Sequence, residues 1–264
     1  MRLKSNSAQS WLLGATGAAA LATGLNAGPF VYNPEDLLVG FQSASGTSEF
    51  VADIGQASDF ISGAAAGTTW DFSSQLGSAF SGLDGLSLSV SGDVRTSGSP
   101  TGPLNTLFVT QARTDINTPT TPWTQKSSLN QGNTGANIDT IANNTVAFSS
   151  ANSAGPNNTA TAVVMPKGTA YNAGMGDSGD YNGSFQGVVE GTTQTGFAAG
   201  STPLRLDLYE MKPVNGSPAT FLGTLDFNPN GTMSFTAVPE PSTWALLGIG
   251  GLMFVATRRF RQTT

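Results

Sequence analysis

The last third of the chain alternates between apolar and polar residues with a period of two. The alternation occurs in three runs, at residues 204–209, 221–227 and 233–237. Such alternation is typical of half-buried strands. Asn215-Gly216 separates the first two runs and Asn230-Gly231 separates the last two. Asn-Gly predicts a type I′ hairpin turn, whose two central residues both take a positive φ. The pattern therefore predicts a three-stranded antiparallel meander.

Shorter apolar runs upstream predict further strands, at residues 36–41, 49–54, 86–90, 104–110 and 185–189. Two segments have helical spacing instead. In the first, the Asp71 carboxylate can cap free amides, and Leu76, Ala79 and Phe80 share one side. The second covers residues 135–144. We therefore expect a mainly β fold: an antiparallel β-sandwich with one or two short helices, together with an N-terminal signal helix and a C-terminal transmembrane helix.

The composition becomes polar between residues 96 and 161, where Thr, Ser, Asn, Pro and Gly predominate. Long polar loops on a β scaffold are the prediction that we favour for this stretch. A Ser/Thr-rich surface that is open to glycosylation is the alternative.

The chain has 264 residues but contains no histidine and no cysteine. These absences exclude catalytic triads that use His, thiol nucleophiles and zinc sites of the Cys/His kind. Residues 28–237 hold 6 basic and 16 acidic residues, a formal charge of −10. A strongly acidic body does not attract nucleic acid or an anionic membrane surface, so neither is an expected partner.

The first residues have the layout of a secretory signal peptide. Arg2 and Lys4 precede an uncharged stretch, residues 11–25, which ends in small residues up to Ala27. We predict cleavage after Ala27, with Ala22 as a second possible position. Signal peptidase and the secretion machinery are then partners of the chain. A buried Ala-rich helix is the alternative.

Three features follow one another at the other end. Pro239, Glu240 and Pro241 come first, an uncharged apolar run follows at residues 244–256, and an arginine cluster follows the run. The cluster consists of Arg258, Arg259 and Arg261. Because prolines do not fit inside a regular helix, the first segment should be extended. The apolar run is short for a membrane span of about 20 residues, and the arginines should remain cytoplasmic.

This order of features, with the wording VPEPSTWALLG, resembles the PEP-CTERM sorting signal of Gram-negative bacteria. The resemblance implies processing by an exosortase, a membrane-embedded transpeptidase-like enzyme, near Pro239–Pro241. It also implies association with exopolysaccharide. The domains are then a signal peptide at 1–27, a secreted β domain at 28–237 and the sorting signal at 238–264. A plain C-terminal anchor is the alternative. The expected location is an inner-membrane-anchored precursor, then the cell surface or the extracellular matrix.

The loop at residues 174–183 contains sequences that look like catalytic or binding motifs. Gly176-Asp177-Ser178-Gly179 spells the nucleophile segment of a serine protease, but the chain has no histidine base. Asp177, Asp180 and Asn182 are weak candidates for Ca²⁺ ligands, since they offer oxygens to a hard cation. Solvated turn carboxylates are the interpretation that we favour, so no cofactor is predicted.

Two further sets of side chains could act on a polysaccharide. The carboxylates of the predicted strands, which a glycoside hydrolase would need in pairs, are Glu190, Asp207, Glu210 and Asp226. The aromatic residues that could stack on sugar rings are Trp70, Trp123, Tyr171 and Tyr181. Our leading hypothesis is a non-catalytic, exported surface or matrix protein. A carbohydrate-binding module is the main alternative, and a glycoside hydrolase is the second.

Overall fold

The computed structural model describes residues 28–152, 158–197 and 202–238. These ranges contain ten strands and four helices. The strands are β1 (Asp36–Ser43), β2 (Ser48–Gln56), β3 (Thr69–Asp71), β4 (Leu86–Asp93), β5 (Leu107–Ala112), β6 (Ala162–Pro166), β7 (Gly191–Thr192), β8 (Leu204–Met211), β9 (Thr220–Phe227) and β10 (Thr232–Ala237). The helices are α1 (Ala57–Ile61), α2 (Ser73–Ala79), α3 (Ser128–Ala151) and α4 (Tyr171–Met175).

The described strands form one antiparallel sheet in the order β3-β10-β9-β8-β5-β4-β1-β2-β6, with β7 paired to β4. The mainly β, antiparallel character is thus confirmed. The sandwich is not confirmed, because the ladder runs without a break through β8, β5, β4 and β1, where a sandwich would divide into two sheets.

The sheet curls into a half-cylinder. Phe41 in β1 and Phe227 in β9 are four strands apart, which is about 19 Å in a flat sheet. Their ring centroids are nevertheless only 5.2 Å apart. Register shifts in the β1–β2 and β8–β9 pairs accompany the curl, since bulges increase local twist. The inner face therefore packs against itself, and a second sheet is not needed to bury it.

A second apolar core lies on the outer face of the sheet. Ile138, Ile141 and Ala142 of α3 are buried there against Leu38 and Val51. Because β1 and β2 bury side chains on both faces, their central runs, residues 37–41 and 50–52, contain no polar side chain and do not alternate. Among the described residues, no helix has the length and the apolar character needed to cross a membrane.

The three-stranded meander at the end of the domain is confirmed as β8, β9 and β10. The predicted turn type is wrong, because only Gly216 and Gly231 of the two Asn-Gly pairs take a positive φ. The predicted helix near Asp71 is confirmed as α2, and the Asp71 carboxylate accepts the Ser73 N–H at 2.9 Å. The strand predicted at residues 185–189 is wrong, since that segment consists of bends followed by irregular backbone.

The prediction of long loops fails most clearly at α3, whose 24 residues extend well beyond the predicted 135–144. Its buried face includes Gln131, Thr134 and Thr145, so an apolar stripe marks only its middle. Small residues also let it approach its neighbours. A Cβ at Gly135 would lie 2.5 Å from Asp93 Oδ2, and one at Gly174 would lie 2.4 Å from the carbonyl oxygen of Asn137. Close packing through glycine does not produce an amphipathic pattern.

Candidate ligand-binding cleft and sorting segment

The residues predicted to direct export and sorting lie outside the described part of the chain. They are Ala27, Pro239, Glu240, Pro241, Arg258, Arg259 and Arg261. Their individual roles therefore stay predictions, as do the domain bounds.

The side chains named as weak calcium ligands each have a protein partner in the 174–183 loop. Asp177 Oδ1 lies 2.9 Å from the Lys167 ammonium. Asp180 Oδ1 accepts the Gly183 N–H at 2.9 Å, and Asn182 donates to the carbonyl of Gly174 at 3.0 Å. Within the described ranges, no group of three acidic side chains is placed to hold a metal ion.

The aromatic candidates for sugar stacking separate by burial. Tyr171 and Tyr181 are 1% and 0% exposed, so the prediction that they could stack on a sugar is wrong. Both pack in the outer core because the sheet and α3 enclose them. Trp123 is half-buried and contacts the Phe185 ring edge-on at 5.3 Å. Trp70 is also half-buried, and it lines a cleft.

The carboxylates named for hydrolysis are held mainly by basic partners. Asp207 is fully buried, and its Oδ1 lies 2.7 Å from Arg113 Nε. Asp226 pairs with Arg205 at 2.8 Å, and Glu210 lies 3.4 Å from the Lys212 ammonium.

Glu190 accepts a hydrogen bond from Gln42 Nε2 at 2.9 Å, and its burial raises the pKa of the carboxyl. The partners of Glu190 are thus different from those of the three strand carboxylates. Each of the four carboxylates therefore has different partners.

A cleft of about 260 Å³ lies where the two ends of the curled sheet approach each other. We call it the seam cleft, and it is lined by Asp53, Ile54, Gly55, Thr68, Thr69, Trp70, Asp71, Phe72, Gln75, Thr161 and Ala162. β3 and β6 are the terminal strands of the sheet order, and each contributes to the lining. The cleft therefore exists only because the sheet curls.

Trp70 provides the aromatic surface of the seam cleft. Its indole stacks on Phe60 of α1, with the ring planes at 9° and the centroids 6.1 Å apart. β3 also fixes the backbone of Trp70 opposite Met233 of β10. An aromatic ring that is supported in this way presents a pre-organised apolar surface to a ligand.

Asp53 and Asp71 are the two carboxylates of the seam cleft. The pKa of Asp53 is raised to about 7, because burial and the neighbouring Asp36 raise it by more than the hydrogen bond from the Gly55 N–H lowers it. Hydrogen bonds from the Ser73 side chain and N–H lower the pKa of Asp71. Near neutral pH the cleft thus holds one ionised carboxylate and one that is partly protonated. Sequence analysis missed this pair, because nothing local connects a residue of β2 with one of β3.

A separate carboxyl is buried under α3. The Asp93 side chain is 0% exposed, and neither oxygen has a hydrogen-bond partner among the described residues. Arg95 Nε lies 3.4 Å from Asp93 Oδ2 and 2.9 Å from Asp139 Oδ2. The pKa of Asp93 is raised to about 8. Burial is the main cause, Asp139 and Glu35 add to it, and Arg95 partly offsets it.

Comparison with known proteins decides the character of the segment after β10. A family model described as "PEP-CTERM protein-sorting motif" matches residues 237–262. The chain carries a PEP-CTERM sorting motif. The motif implies an exported protein that an exosortase processes, with a membrane-anchored precursor in a Gram-negative bacterium. The chain has no significant match among curated proteins or solved structures.

The PEP-CTERM motif begins at the last residue of β10. β10 is held on one side by β9 and on the other by β3, the strand that carries Trp70. At the end of β10, the Val238 N–H still donates to the carbonyl of Leu222 at 3.1 Å. The sorting motif is therefore joined directly to the folded domain, at the sheet end that forms the seam cleft.

Proposed function

We propose that this chain is an exported surface or matrix protein whose β domain is non-catalytic and associates with exopolysaccharide after exosortase processing. The observation that carries the proposal is the PEP-CTERM motif on residues 237–262, directly after β10. A folded domain joined to a sorting motif is the form that a sorted cargo takes.

The side chains of the domain support a non-catalytic role. The chain has no histidine or cysteine to serve as base or nucleophile. Asp207, Asp226 and Glu210 each pair with a basic side chain. Each of these three carboxylates is thus held in an ion pair within the domain, whereas the paired carboxyl groups of a glycoside hydrolase face the bound sugar.

The test is mass spectrometry of the terminal peptides of the protein from its native host, with and without the exosortase. We expect a C-terminus near Pro239–Pro241 only when the enzyme is present, and an N-terminus after residue 27. The variant Glu240→Gln should reduce processing, whereas the matched variant Asp115→Asn, on an exposed turn of the domain, should not. Intact protein ending at Thr264 in both strains would contradict the proposal.

The seam cleft favours a second candidate function, that of a carbohydrate-binding module. An aromatic ring flanked by carboxylate, amide and hydroxyl groups is the usual chemistry of a sugar site. Trp70 and Trp123 provide a matched pair of tryptophans, since only Trp70 lines the seam cleft. Pull-down with host exopolysaccharide should be lost in Trp70→Ala and kept in Trp123→Ala. Loss only in Trp123→Ala would place sugar binding elsewhere.

A further inference from the structure

The charged groups that line the seam cleft are Asp53 and Asp71, and among the described residues no basic side chain lines it. Of the six lysines and arginines in the described ranges, five form ion pairs with carboxylates. The surplus of acidic groups leaves the domain with a negative potential, and a concave site concentrates that potential. A polymer of uronic acids would be repelled.

The shape and chemistry of the cleft define the class of ligand. A space of about 260 Å³ is at the small end of ligand sites and suits a single sugar ring. The Trp70 indole offers an apolar surface to the carbon-bound face of such a ring. Gln75 and Thr161 add amide and hydroxyl groups for sugar hydroxyls. A positively charged substituent on the sugar would complement Asp53 and Asp71, and an opposite charge nearby favours the ionised form of a carboxyl.

We propose that the seam cleft binds a polysaccharide residue that carries a free amine, with the sugar ring on Trp70 and the ammonium group between Asp53 and Asp71. This inference rests on the proposed association with exopolysaccharide and names its site and sugar class. The same ring with an acetylated amine has no charge to offer, so N-acetylation should weaken binding. Because the attraction is between charges near the surface, added salt should also weaken it.

The test is calorimetric titration of the full-length protein in detergent with three probes. These are glucosamine oligomers with free amines, the N-acetylated oligomers of equal length, and oligogalacturonate. We expect the free-amine oligomers to bind at least about tenfold more tightly than the acetylated ones, the range for loss of a charged hydrogen bond. We expect oligogalacturonate not to bind.

The variants Asp71→Asn and Asp53→Asn should each reduce affinity for the free-amine oligomer about tenfold. Asp115→Asn, which removes one exposed carboxylate that is not part of the cleft lining, should leave affinity unchanged. Circular dichroism identifies any variant that fails to fold. Trp70→Phe keeps an aromatic ring against Phe60 and should retain most of the binding.

Several outcomes would overturn the inference. Equal affinity for acetylated and free-amine oligomers would mean that the carboxylates do not select charge. Binding that is unaffected by the Asp53 and Asp71 variants would place the site elsewhere, and binding of oligogalacturonate would contradict the charge argument. If host exopolysaccharide is retained by all variants, the proposed association stands and this inference fails. If host exopolysaccharide is not retained by the wild-type protein, the proposed association itself fails.

Discussion

Replacing Asp93 with Asn is expected to remove a large pH dependence from the stability of the domain. The Asp93 carboxyl is fully buried under α3, and neither of its oxygens has a hydrogen-bond partner in the described chain. Asn has the shape of the protonated acid but does not ionise. Arg95 keeps its contact with Asp139 at 2.9 Å in the variant, so the change does not leave a buried cation unpaired.

The magnitude follows from the pKa. The pKa of Asp93 rises from 3.8 to about 8, chiefly because the site is desolvated. At about 1.4 kcal/mol for each pH unit, the difference amounts to about 6 kcal/mol of free energy of unfolding, an upper limit because water can enter an ionised site. Since the folded state holds the proton more tightly than the unfolded chain, this stability is fully present below pH 3.8 and is lost as pH rises through about 8.

The assay is denaturant unfolding of the full-length protein between pH 5 and pH 9, followed by tryptophan fluorescence. We expect the wild-type protein to lose at least about 2 kcal/mol relative to Asp93→Asn across this range. The control Asp115→Asn removes an exposed carboxylate and should follow the wild-type curve to within about 0.5 kcal/mol. Parallel curves for wild-type protein and Asp93→Asn would refute the argument, because they would show that Asp93 ionises in the folded state as easily as in the unfolded chain.

Two further predictions concern a buried ion pair and the space around two glycines. Asp207→Ala leaves the Arg113 guanidinium, whose side chain is 9% exposed, without its counter-ion, and should cost about 3 kcal/mol or more. Combining it with Arg113→Met should recover part of that loss in thermal unfolding, and a strictly additive double variant would contradict the ion pair. Gly40→Ala would place its Cβ 1.8 Å from the ring of Tyr171, so we expect a loss of about 3 kcal/mol. The matched change Gly77→Ala, which meets open space in α2, should raise stability by about 0.5–1 kcal/mol, and equal effects of the two changes would refute this packing argument.

Local sequence patterns predicted the elements that bury one face. The meander of β8, β9 and β10 could be predicted because its alternation reports one buried face directly. α3 could not be predicted in full, since Gly135 and Thr134 contribute to its buried face in place of large apolar residues. The strand order was equally inaccessible, because pairing between β5 and β8 depends on residues far apart in the chain.

The residues of the seam cleft could likewise be predicted only in part. Trp70 could be named from sequence as an aromatic residue able to bind a sugar, but Tyr171 and Tyr181 could be named equally well. Their burial under α3 decides against them. Asp53 has no local feature that distinguishes it from the other carboxylates. Its raised pKa comes from burial and from Asp36, which the pairing of β1 and β2 brings close.

The order of residues along the chain carries the sorting motif, whereas the seam cleft arises only from the way in which the sheet curls. A sorting motif is recognised through the order of its residues. It can therefore be identified from the sequence alone, as Pro-Glu-Pro followed by an apolar run and arginines. The residues that line the seam cleft come from separate parts of the chain and form no sequence motif. The cleft forms because the curled sheet brings β3 and β6, its terminal strands, to the two sides of one space.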